Sequence, residues 1–261
     1  MSEPRVLVRA GQHIRRPLAP ATGLDYPATQ VGVAGNVTVS YDAALGAPGQ
    51  AIAQQLLNAV AAPYDDIQTF FGIAGGSVEV VIAPLSDAND GSGGAYHYGC
   101  DFSSGGTLYL DACFANITVT PLALQTALYI AELSECFMGP QNRGWNCAYS
   151  HGEGLSRFCA ENETPAGTLA AYYSGPSWAQ AGFPDWVSKT EQTDGDAVST
   201  GCAIVYLYWM RFLGFDVPSI VKAGGATLAD NYQSITGKTS AYQDLVAALQ
   251  GRTVTSDNPF P

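Results

Sequence analysis

Glu132 and Glu135 stand three residues apart in Ala131-Glu-Leu-Ser-Glu135, within a segment that reads as helix, so both carboxylates share one face. Two like charges so placed repel each other unless a metal, a shared proton or a cation compensates them. Leu128 and Ala131 border that face, so it is not a plain solvated stripe. The chemistry on offer is a general base, Glu132, beside a carboxylate metal ligand, Glu135. The ordinary alternative is a pair of exposed acids on an amphipathic helix. A third acid, Glu153, follows in His151-Gly-Glu-Gly-Leu-Ser-Arg-Phe158. It reads either as a further metal ligand or as helix chemistry. Ser150 and Glu153 match the S-x-x-E capping box, and Arg157 lies four residues on.

The chain has three histidines. His13 sits in an N-terminal arm, away from these motifs. His151 begins the second acidic segment and is expected to point elsewhere than Glu153. His97, in Gly93-Gly-Ala-Tyr-His-Tyr98, lies on a strand. It reads as a replacement ligand or acid, or as a strand histidine satisfied by a hydrogen bond. A site made mainly of carboxylates suits a hard cation such as calcium or magnesium better than zinc. The cofactor expectation is therefore none, or a divalent cation.

The elements that must position these groups follow from periodicity and punctuation. Residues 1–34 read as an extended arm. Val37-Thr-Val-Ser-Tyr41 alternates as a strand, and a helix follows over about 50–71 with a kink at Pro63. Val78–Ile82 is a strand. Residues 95–102 and 107–111 form a hairpin around Ser103-Ser-Gly-Gly106. Asp87–Gly94 is a loop without calcium-loop spacing. Thr120 caps a helix with Pro121 at its first position, ending at Gly139-Pro140. Residues 165–195 read as irregular. Helices follow over about 198–213, 217–223, 226–235 and 240–250. The fold class is α+β: a small mixed or antiparallel sheet with strands segregated early, then helices. Three parts are expected: the arm 1–34, a sheet with the two acidic helices over 35–164, and a helical subdomain over 165–261.

This arrangement resembles the gluzincin-type zinc metallopeptidases. In that family one helix carries H-E-x-x-H and a second, W-x-x-E-G-x-A-x-[FY], supplies the third metal ligand. Here the first motif reads A-E-x-x-E: Glu132 matches the general base, while Ala131 and Glu135 replace both zinc-binding histidines. Glu153-Gly154 matches the second motif. The resemblance spans roughly residues 35–250 and implies a zincin-like fold. It places His97 on the strand that pairs with substrate in the family. It places Tyr206 and Tyr208 where some members hold a transition-state-stabilising side chain, although in so apolar a helix core packing with bonded hydroxyls is the plainer reading. Hydrolysis in the family needs a metal to polarise the carbonyl and acidify water. The implied function is thus a degenerate, non-proteolytic metallopeptidase-like protein binding a peptide or protein in the inherited cleft. Two alternatives stand beside it: an active metallohydrolase using Glu135, Glu153 and His97, and a disulfide-stapled structural or secreted interaction protein.

Composition narrows the partners. The 261 residues carry a net charge of −12, and the arm concentrates Arg5, Arg9, Arg15 and Arg16 against Glu3 alone. So acidic a body disfavours nucleic acid and anionic membrane. No apolar run is long enough to span a bilayer and no secretory signal is visible, so a cytoplasmic or non-classically exported protein is expected. Six cysteines, at 100, 113, 136, 147, 159 and 202, include no C-x-x-C. The pairs 100/113 and 136/147 bracket a turn and a loop, which favours disulfides there over buried free thiols.

Overall fold

A computed structural model describes residues 4–7, 24–85, 94–112, 121–193 and 195–260. His13, Cys113, Thr120 and most of the Asp87–Gly94 loop lie outside them.

The chain is α+β. One mixed sheet has the order β1-β5-β6-β4-β3-β2. Its strands are β1 (Pro4–Leu7), β2 (Ala28–Ala34), β3 (Val37–Asp42), β4 (Val78–Ala83), β5 (Ala95–Tyr98) and β6 (Thr107–Asp111). The centre β3-β4-β6 is parallel, while β2/β3, β5/β6 and β1/β5 are antiparallel. β4 explains its own position. Val80 and Ile82 join the main core on the helix side. Val81 and Ala83 pack with Tyr26, Tyr96 and Tyr109 on the other side. A strand covered on both faces needs an unbroken apolar run, and Val-Glu-Val-Val-Ile-Ala nearly supplies one.

Two strands depart from the sequence reading, which gave residues 1–34 to an arm. β2 pairs with β3, and β1 pairs with β5 in the register Arg5↔His97 and Val6↔Tyr96. Neither has an alternating pattern strong enough to mark it: β1 has four residues, and β2 contains Gly32 beside a register shift. Asp25 fastens the chain between them to the outer face of the sheet. Its Oδ2 accepts from the Tyr96 hydroxyl at 2.7 Å and the Tyr98 hydroxyl at 2.6 Å, and its backbone N–H donates to the Tyr109 hydroxyl at 2.9 Å.

The single helix expected over 50–71 is two, α1 (Gly46–Leu57) and α2 (Ala61–Phe71). The break falls at Asn58–Val60. Pro63 lies in the first turn of α2, where a missing N–H costs no intrahelical bond. α3 (Pro121–Gln141) begins as expected but runs through Gly139-Pro140. The Gly139 N–H donates to Cys100 O at 2.9 Å, outside the helix, and Pro140 has no N–H to give to the last turn.

α4 (Ser150–Glu163) packs between α3 and α6 (Ala197–Phe212). Gly154 allows the approach: a Cβ there would lie 2.5 Å from Ala203 Cβ and 3.0 Å from the Ile204 backbone nitrogen. The remaining helices are α5 (Gly175–Gln180), α7 (Val217–Ala223), α8 (Leu228–Thr236) and α9 (Ala241–Ala248). Among the described residues no helix is long and apolar enough to cross a membrane.

The C-terminal segment is held by buried Asp257, beside which lies the half-buried Glu161. Asp257 Oδ1 accepts from the backbone N–H groups of Ser174 (2.8 Å) and Gly175 (2.6 Å), and Glu161 Oε2 accepts from the Tyr208 hydroxyl at 2.6 Å. Burial, then the neighbouring Asp257 charge, pushes Glu161 from 4.5 up to about 8. The folded protein therefore binds this proton more tightly than the unfolded chain. The stability it contributes is full below pH 4.5 and is lost as pH rises toward 8. Glu161→Gln removes the ionisation, so the variant should gain on the order of 2 kcal/mol over the parent between pH 5 and pH 8. Urea melts at both values measure that difference; an equal offset at the two pH values would contradict it.

Candidate metal and carboxylate site

The compensation that Glu132 and Glu135 require comes from β5. His97 Nδ1 lies 2.7 Å from Glu132 Oε2, and His97 Nε2 lies 3.7 Å from Glu135 Oε2. The three residues are 0%, 1% and 3% exposed, so the exposed-acid alternative fails for this helix face. At 2.7 Å the proton is on Nδ1, which donates to the carboxylate. The separation at Nε2 is an ion-pair distance, longer than a hydrogen bond. The imidazole ring is pressed from above: a Cβ on Gly105 would lie 2.9 Å from His97 Cδ2. The β5–β6 loop can cover the histidine only with glycine there.

This geometry supports two kinds of chemistry. Protonated, the imidazolium balances two buried carboxylates, which is a structural role. Neutral, the ring is oriented by Glu132 as metal-binding histidines are by an outer carboxylate, and Nε2 and Glu135 Oε2 face one point. In either state Glu132 is engaged by His97 and is not simply a base awaiting water.

Cys147, in the connection between α3 and α4, reaches the same place. One ligand atom each from His97, Glu135 and Cys147 lie within 4.8 Å of one another, all three residues buried. Glu153 is not part of that group. Cys147 is at present bonded to Cys100 in a disulfide, which corrects both cysteine pairs suggested by loop bracketing. Cys136 is instead a buried thiol donating to Gly105 O at 3.2 Å, and burial pushes its pKa well above the usual value. Cys159 and Cys202 are also free and buried.

No family model matches the chain, and no curated protein matches its sequence. Ala131 is buried in the core and offers no ligand. Position 131 therefore contributes no donor to a zinc set of the metallopeptidase kind.

The other candidate residues have structural partners. Glu153 is 1% exposed on α4, but the helix is capped at Tyr149 without a side-chain bond, so Ser150 and Glu153 form no capping box. Ser150 is already the first helical residue; its hydroxyl meets Thr190 Oγ1 at 2.9 Å. Arg157 donates to Tyr172 O and Ser174 Oγ, both at 3.3 Å. His151 points away from Glu153, to Thr190 Oγ1 at 2.9 Å and Gly144 O at 3.1 Å. Burial lowers its pKa and keeps it neutral, with Nε2–H donating to the carbonyl. The Tyr206 hydroxyl donates to Asn231 Oδ1 at 3.0 Å, and that of Tyr208 to Glu161, so both are bonded core tyrosines.

Proposed function

We propose that the chain is a non-proteolytic protein of metallopeptidase-like, zincin-type architecture that binds an extended peptide or protein segment along β5, beside the His97–Glu132–Glu135 cluster. The observation carrying this reading is β1. A stretch of the chain's own N-terminus lies antiparallel on β5, directly opposite His97, and packs near α3. A sheet edge that accepts Pro-Arg-Val-Leu by main-chain pairing has the geometry of β-strand addition, in which backbone bonds give affinity and alternate side chains give selectivity. Loss of catalysis is argued from Ala131, which supplies no ligand, and from the engagement of Glu132 by His97.

The test uses a chain lacking residues 1–8 and a synthetic peptide of those eight residues. Calorimetry should show 1:1 binding to the truncated chain, and far weaker binding to the intact one, where the tethered segment competes at high effective concentration. Equal affinity for both would remove the reading. So would metal-dependent peptide cleavage that Glu132→Gln abolishes.

A second reading, a metallohydrolase with altered ligands, is favoured by the approach of His97 Nε2 to Glu135 Oε2. The third donor in that group is Cys147 rather than Glu153.

A further inference from the structure

We propose that His97, Glu135 and Cys147 form a binding site for a zinc-class divalent cation, and that the Cys100–Cys147 disulfide keeps it closed until it is reduced. The proposal is independent of peptide binding at β5.

Three observations carry it. The ligand atoms come from β5, α3 and the α3–α4 connection, yet lie within 4.8 Å of one another in a buried place. Ligands around a tetrahedral zinc stand about 3.3–3.8 Å apart, so a contraction of about 1 Å completes the set. The Glu132 carboxylate holds His97 by Nδ1, at 2.7 Å, so that Nε2 is the nitrogen presented to the metal. Cys147, the one sulfur in the group, is unavailable while bonded to Cys100. One imidazole, one carboxylate and one thiolate is a donor set of intermediate softness that suits zinc or cobalt better than calcium or magnesium. The two anionic ligands balance the charge of the ion.

The gate is chemically simple. Cys100 is only partly buried while Cys147 is buried, so a reductant reaches the bond from the Cys100 side. A dithiol supplies both electrons. Its thiolate attacks Cys100 Sγ, the Cys100–Cys147 bond breaks, and Cys147 leaves as thiolate. The second thiol of the reductant then displaces Cys100, which departs as a thiol, and the reductant ends as a cyclic disulfide. Cys147 binds the cation as thiolate, and no further proton need be lost from it.

Cobalt(II) is the probe, because a cobalt–thiolate bond gives a near-ultraviolet charge-transfer band. The intact chain is reduced with a trialkylphosphine, which takes up the oxygen of water and leaves two thiols, and is desalted without air before titration. The expected result is one cobalt per chain with the band in the reduced protein, and no band in the oxidised one. Cys100→Ser should show the band without any reductant, since Cys147 is then always free. Cys147→Ser, His97→Ala and Glu135→Gln should lose it, and Glu132→Gln should weaken binding by about 10- to 100-fold. Glu153→Gln should leave it unchanged. Circular dichroism verifies that each variant is folded, and the reduced parent chain decides the question should Cys100→Ser not fold. A reduced parent without the band, a band that survives Cys147→Ser, or equal binding by the oxidised protein would each overturn the proposal.

Discussion

His97→Ala should destabilise the protein by about 3–5 kcal/mol near neutral pH, the usual cost of removing one partner from a buried ionic group. Glu132 and Glu135 are 1% and 3% exposed, and the substitution leaves both carboxylates in place while deleting the ring between them. Adding Glu132→Gln and Glu135→Gln should recover much of the stability, because the charges vanish along with their need for compensation. Denaturant melts of the parent, the single variant and the triple variant at pH 5 and pH 8 measure all of this. A loss under 1 kcal/mol would show that the imidazole does not balance these charges.

The second large effect belongs to the disulfide. Cys100 and Cys147 are 47 positions apart, and closing a loop of that length in the unfolded chain is worth about 4 kcal/mol in the chain-entropy account. Cys147→Ser should therefore lower the midpoint of thermal unfolding by about 8–16 °C for a chain of this size, given about 2–4 °C per kcal/mol. Reduction of the parent chain should shift it by a similar amount. Cys136→Ser should behave differently, since that thiol closes no loop and sits in the core with its sulfur donating to Gly105 O. Scanning calorimetry on the three samples separates the cases; a midpoint unmoved by reduction would mean the bond constrains little in the unfolded ensemble.

Both effects centre on a place that the sequence revealed only in part. The rule that Glu132 and Glu135 need a compensating partner was legible from their spacing, and His97 was among the few residues able to meet it. Cys147 was not legible. Disulfide connectivity is a property of three-dimensional proximity, and loop bracketing favoured nearer partners for both Cys100 and Cys147. For Glu153 the local pattern S-x-x-E was the misleading signal, because the chain enters α4 at Tyr149 and Ser150 turns its hydroxyl to Thr190. Helices with strong punctuation were readable. Asp196 caps α6, and Thr227 with Asp230 makes a true capping box on α8. β1 and β2 were not, because short strands without a clean alternation become strands only through the partners they meet.

The sheet guards its two edges by unlike means. On one side β2 carries a register shift between Gln30 and Gly32, with Val33 60% exposed beyond it. A local irregularity of that kind twists an edge and spoils it as a template. On the other side, among the described residues, β1 covers β5 in an unbroken antiparallel register. Pro4–Leu7 thus occupy the backbone of Ala95–Tyr98, and a chain without them should associate edge to edge at high concentration and return to a monomer when the free peptide is added.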